Sequence, residues 1–191
     1  MTASVAVLPF PGRTAPRPLR GLPVASLYEL GDYRRVVVVG SKADLATVLT
    51  ALLRAEKLDV EIALVPGRVG ARRAVSGEAQ RVPLIRDDTG AAIVGAAEWR
   101  GADGLLHGEA VVDDTTLFDG EVSGVRIEPT LAMPGLRAAV LTGSRRGRWV
   151  TGRAAQLGTT GAVVTRDGVV TSRPVRRSTF YRHVKGWLRV G

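Results

Sequence analysis

The residues from Gly67 to Arg73, Gly-Arg-Val-Gly-Ala-Arg-Arg, are the first in this chain whose types and spacing could do chemistry. Gly67 and Gly70 leave backbone amides free to approach an anion, and Arg68, Arg72 and Arg73 add guanidinium forks that match phosphate oxygens. No Lys-Ser/Thr pair completes a P-loop, so a basic connector is the plainer alternative. Late in the chain, Arg176-Arg177-Ser178-Thr179-Phe180-Tyr181-Arg182 sets arginines beside two hydroxyls, an arrangement suited to holding a phosphate or receiving one. With Arg166, the residues Arg176, Arg177 and Arg182 are the anion-binding candidates of the second half; an ordinary strand facing water is the alternative. Asp113, Asp114 and Asp119 bracket Leu117-Phe118 and could supply carboxylate oxygens to Mg²⁺, Asp114 and Asp119 being the metal candidates, although exposed turn acids are commoner. His107 and His183 are the only histidines, too few and too far apart for the usual zinc arrangements.

The absence of cysteine rules out disulfides, thiolate zinc sites and a cysteine nucleophile together. No apolar run reaches the ~20 residues of a membrane-spanning helix, and the first residues lack a secretory pattern, so a cytoplasmic location is expected, with peripheral membrane contact if the ligand is lipid. The net charge of +9 is unevenly spread. From Arg145 onward eleven basic residues face one acid, whereas Asp87 to Glu128 holds ten acids and two arginines. The basic segment suits a phosphorylated small molecule, an anionic lipid surface or a nucleic acid, and Arg148, Trp149, Tyr181 and Trp187 have the types needed to stack on bases. Alternatively, acidic and basic strands lie side by side and neutralise each other.

Positioning these groups requires a small set of elements. Five prolines within residues 1–32 predict a flexible arm. Val36-Val37-Val38-Val39-Gly40 reads as a strand buried on both faces. Ser41 is a helix N-cap with Asp44 in the first turn, and Leu45, Val48, Leu49, Leu52 and Leu53 repeat at helical spacing. Val60–Val65 is the next strand, which gives a right-handed β-α-β unit within residues 33–75. From Val82 helical periodicity fades. Turn signals at Asp87–Gly90, Phe118–Glu121 and Arg166–Val169 then mark residues 76–191 as an antiparallel β domain, the last of these being an Asp-Gly hairpin. Residues 180–189 alternate as one strand. The expected class is α+β: a short β-α-β unit followed by an antiparallel, sandwich-like β region.

This order of parts resembles the diacylglycerol kinase and related lipid kinase family, a nucleotide-binding α/β lobe followed by a β-sandwich lobe. Val36 through Leu45 is similar to that family's strand, Gly-Gly-Asp-Gly-Thr turn and helix. Leu64-Val65-Pro66-Gly67-Arg68-Val69-Gly70 is similar to its Pro- and Gly-rich second loop, and Thr165-Arg166-Asp167-Gly168-Val169 to its late Asp-Gly-Glu motif. The resemblance implies ATP and Mg²⁺ as cofactors, Gly40 and Ser41 at the nucleotide phosphates, and Asp167 as the remaining catalytic aspartate. The sequence departs from the pattern where chemistry is done: Ser41-Lys42-Ala43 replaces the glycine and acidic positions of the first turn, and Val169 stands in place of the glutamate. A divergent relative that binds a nucleotide, a phosphorylated ligand or an acidic lipid follows, active as an ATP-dependent lipid phosphotransferase or else inactive. The competing expectation is a basic non-enzymatic module for nucleic acid or an acidic protein partner.

Overall fold

The computed structural model describes residues 3–67, 69–142 and 145–191, and these divide into two compact units, 1–82 with 185–191, and 83–184. The first unit is an α/β layer. Its elements are β1 (Ala3–Pro9), β2 (Tyr33–Val39), α1 (Lys42–Arg54), β3 (Glu61–Val65), α2 (Ala71–Ser76) and β4 (Ala79–Val82). β1, β2 and β3 run parallel, with Val7 opposite Val37 and Val37 opposite Ala63. The valine run of β2 is buried on both faces because every residue from Val36 to Val39 meets core. Alternation sends Val37 and Val39 into a cluster with Ala71 and Ala74 of α2, and Val36 and Val38 to the opposite face. α1 forms where predicted: Ser41 accepts the Asp44 amide, Asp44 accepts the Ser41 amide in return, and Leu45, Val48, Leu49 and Leu52 are buried. Each such leucine or valine contributes about 1.5–3 kcal/mol of transfer free energy.

The proline-rich start departs from expectation. Residues 3–9 are not an arm but a strand, placed before the prolines begin in earnest, and Val7 bonds onward to Pro23 and Ala25, so the segment folds back along that strand. Proline here occupies turns and an edge, where its missing donor costs little.

The second unit is an antiparallel β structure built from β5 (Ile85–Asp87), β6 (Ala92–Ile93), β7 (Ala97–Gly101), β8 (Leu106–Val112), β9 (Thr115–Val122), β10 (Gly124–Pro129), β11 (Leu136–Thr142), β12 (Arg145–Arg146), β13 (Val150–Gly152), β14 (Ala154–Arg166), β15 (Val169–Val170) and β16 (Val175–Arg182). β14 is its axis. One end pairs with β8, the other with β7, and β16 lies along the first part with an irregularity between Gly158 and Ala162. The inward residues make one core, in which the Trp99 and Phe180 rings sit 5.8 Å apart and the Trp99 indole N–H donates to the buried Ser178 hydroxyl at 2.9 Å. Burial removes Ser178 from any surface chemistry; its neighbours Arg176 and Arg177 stay exposed. The 118–121 turn signal is overruled: these residues lie inside β9, where Gly120 sits opposite Gly108 and supplies flexibility without a chain reversal.

The chain's last strand also corrects the expected boundary. β16 stops at Arg182, and β17 (Trp187–Val190) inserts into the first unit between β3 and β4, parallel to the former and antiparallel to the latter. Among the described residues no helix is long and apolar enough to cross a membrane.

Candidate functional site

In the first unit, the turns that carry glycine leave one edge of the sheet. Val39 is level with Val65, the Gly40 amide donates to the Val65 carbonyl at 3.3 Å, and the Phe10 amide donates to that of Val39 at 3.0 Å. The segments after β1, β2 and β3 therefore begin side by side at the carboxyl ends of parallel strands, the position at which open α/β sheets bind ligands.

The two turns predicted to meet phosphate differ. At Gly40-Ser41 the space is already filled. The Asp44 carboxylate accepts from the Ser41 amide at 2.7 Å and from its hydroxyl at 2.8 Å, and a Cβ on Gly40 would lie 2.5 Å from that carboxylate. The glycine is needed, but for an internal anion: Asp44 complements the positive end of α1 and uses the donors that a phosphate would take. After β3 the chain is open. Among the described residues, and leaving aside chain neighbours, no atom lies within 4 Å of where a Cβ on Gly67 or Gly70 would stand; Gly70 adopts φ +86° as the residue before α2, and Arg72 and Arg73 are exposed. Arg68 lies outside the described residues.

A residue that composition did not single out holds this loop's far end. Arg35 of β2 is 4% exposed; its guanidinium donates to Glu61 at 2.6 Å and to the carbonyls of Val75 at 2.5 Å and Gly77 at 2.8 Å. It thus anchors the carboxyl end of α2, where carbonyls lack helical partners and a cation is favourable. A charged residue opening a valine run was the available signal.

In the second unit, the expected hairpin forms. Asp167 and Gly168 take φ +48° and +89° between the paired residues Arg166 and Val169, as a two-residue primed turn requires. Its side chain is committed to structure. The Asp167 carboxylate accepts amide N–H bonds from Val94 at 2.9 Å, Gly95 at 2.5 Å and Ala96 at 3.0 Å, fastening the approach to β7. Beside it Arg166 ion-pairs with Asp87, which is fully buried and also accepts from the amides of Thr89 and Ala91, each at 2.9 Å. Asp113 does the same work at the β8–β9 turn, with φ +49° and bonds from the Arg153 and Ala154 amides. These geometries turn the carboxylate cast as catalytic, and one anion-binding arginine, into fasteners of the β unit.

The remaining candidates scatter. Asp114 sits at the hairpin turn and Asp119 five residues along an extended strand, ~16 Å away at strand rise, so they cannot share an ion. Among the described residues no group of three or more histidines or acids is placed to hold a metal. Arg182 donates to the Pro134 carbonyl at 3.0 Å and lies by the Met133 sulfur. Arg148, Arg153, Arg173, Arg176 and Arg177 are exposed and make no ion pair among the described residues, so most of the basic segment is not neutralised by the acidic one. Apart from the Arg166–Asp87 pair, the ion pairs of that acidic stretch are with its own arginines and Arg137, among them Arg126–Glu98, Arg126–Glu128 and Arg137–Glu128 contacts of 2.7–2.8 Å. Burial pushes Glu128 up, but the hydrogen bonds from Arg126 and Arg137 prevail and hold it below the usual carboxylate range.

No protein-family profile and no curated protein matches the chain. Solved structures do. One is a diacylglycerol kinase from Bacillus anthracis str. Sterne, with a TM-score of 0.75 and 10% identity over 98% of this chain and 96% of that one. Another is an NAD kinase from Archaeoglobus fulgidus in complex with ATP, with a TM-score of 0.66 and 14% identity over 98% and 93%. The α/β unit completed by a late strand and the β unit fastened at its Asp-Gly turn together carry the fold of the diacylglycerol kinases, shared with NAD kinase.

Proposed function

We propose that this chain is a divergent lipid- or nucleotide-kinase-like protein that binds a phosphate-bearing ligand, a nucleotide such as ATP, a phosphorylated small molecule or an acidic lipid headgroup, at residues 66–73. One observation carries the reading: the open glycine loop at the carboxyl end of β3, with exposed Arg72 and Arg73 beside it. Backbone amides freed by glycine and guanidinium forks are the donors that phosphate oxygens take.

The donor set does not fit Mg²⁺. Asp44 is spent on its helix cap, Asp114 and Asp119 stand apart along a strand, and Asp167 is held by three amides. Ligand binding without phosphoryl transfer is therefore the proposed activity. Calorimetry with ATP, with and without Mg²⁺, tests it alongside sedimentation with vesicles of phosphatidic acid. Saturable heat or vesicle binding that falls about tenfold or more in the Arg72→Glu, Arg73→Glu double variant is expected. Absence of heat at millimolar ATP together with no vesicle binding refutes it.

A further inference from the structure

The sheet of the first unit ends at β4, whose strand partner among the described residues is β17 alone. The outer edge of β4 thus keeps a row of N–H and C=O groups with no strand against them, a template for another chain. A groove of about 810 Å³ adjoins this strand, lined by Arg73 and Ser76 of α2, the Gly77 turn, Gln80 and Val82 of β4, and Arg189 of β17. The turn must stay bare, because a Cβ on Gly77 would stand 2.6 Å from the Arg73 carbonyl oxygen and 3.3 Å from Val190.

Arg73 and Arg189 are both exposed, and neither makes an ion pair among the described residues. They belong to opposite faces of the sheet. Val190 packs into the cluster that includes Ala71 and Ala74 of α2, so its neighbour Arg189 points to the other side, whereas Arg73 rises from α2 itself. A single small anion does not need a cation on each face. An extended peptide does, since its successive side chains alternate between faces.

We propose that β4 accepts an acidic peptide by strand addition, its backbone completing the edge and adjacent carboxylates meeting Arg73 on one face and Arg189 on the other. Charge selects the occupant. Glu78 in the lining limits the site to peptides whose acids are placed at the two arginines.

This inference goes beyond the phosphate reading and shares only Arg73 with it, so Arg189 carries the test. The probe is a fluorescein-labelled peptide of repeated Thr-Glu-Glu-Val, followed by anisotropy, with amide hydrogen exchange read on residues 79–82. Saturable binding, slowed exchange at β4, and a loss of about tenfold or more in affinity for Arg189→Glu and for the peptide with Gln in place of Glu are expected. Arg189→Lys retains most of the binding, which separates lost charge from lost fold, and Arg189→Glu leaves ATP binding unchanged. No peptide binding, binding without slowed exchange at 79–82, or equal binding by the Gln peptide overturns the proposal.

Discussion

Replacing Asp167 by alanine distinguishes a fastener from a catalyst. The change removes a carboxylate that accepts three amide bonds, from Val94, Gly95 and Ala96. A hydrogen bond to a charged group is worth about 1.5–3 kcal/mol, but residues 94–96 are half-buried and water recovers part of the loss. Alanine also meets the left-handed φ of +48°, which aspartate and asparagine tolerate better. The expected destabilisation is therefore about 2–4 kcal/mol, or roughly 5–15 °C in melting temperature for a chain of this size. Asp167→Asn keeps one acceptor oxygen and the turn preference and should lose about half as much. Thermal melts followed by circular dichroism, paired with ATP calorimetry, give the two readouts. Melting temperatures unchanged in both variants, with ATP binding or turnover abolished, would refute the fastening role.

Arg35→Ala should cost about 3 kcal/mol, since it strands the carbonyls of Val75 and Gly77, and hydrogen exchange should quicken across residues 71–77; Arg35→Lys, a point charge without the fork, should fall between. Gly108→Ala should prevent folding of the β unit, because its Cβ would stand 2.1 Å from the Gly158 carbonyl oxygen at φ +151°, and soluble yield with near-ultraviolet dichroism reads this. The lowered Glu128 pKa adds stability that is fully present above the ordinary glutamate value of about 4.3 and lost as pH falls through the folded value. Denaturant melts from pH 5 to 3 should therefore show a shallower acid loss in Glu128→Gln than in the wild type. The His183 ring, pushed down by burial and then by Arg86, should titrate below ordinary histidine by NMR, and its contribution declines as pH drops from about 6.5.

Local rules carried the early fold. A valine run, an N-cap with its acid three residues on and a heptad-like leucine spacing named β2 and α1, and Asp-Gly named the β14–β15 hairpin, because each depends on neighbours in the chain. Long-range pairing was not legible. Nothing near Trp187 reveals that it pairs with Val82, or that the segment before the prolines pairs with β2. The partners of the acidic site candidates were hidden for the same reason. Asp44 read as a first-turn helix acid, Asp87 as part of a turn signal, Asp113 as an exposed turn acid and Asp167 as the catalytic aspartate of the resemblance, yet each is engaged by amides, and the amides of Val94–Ala96 lie some seventy positions from Asp167. The open loop after β3 was legible because openness there follows from glycine itself.

The insertion of β17 between β3 and β4 governs how the protein is made. During synthesis, residues 1–82 leave the ribosome long before residues 187–190, so the nascent α/β layer waits with a missing inner rung while the whole β unit is translated. Released chains truncated after residue 184 should be cut by protease within 58–82 and spared within 83–182, and restoring residues 185–191 should return protection to the first segment.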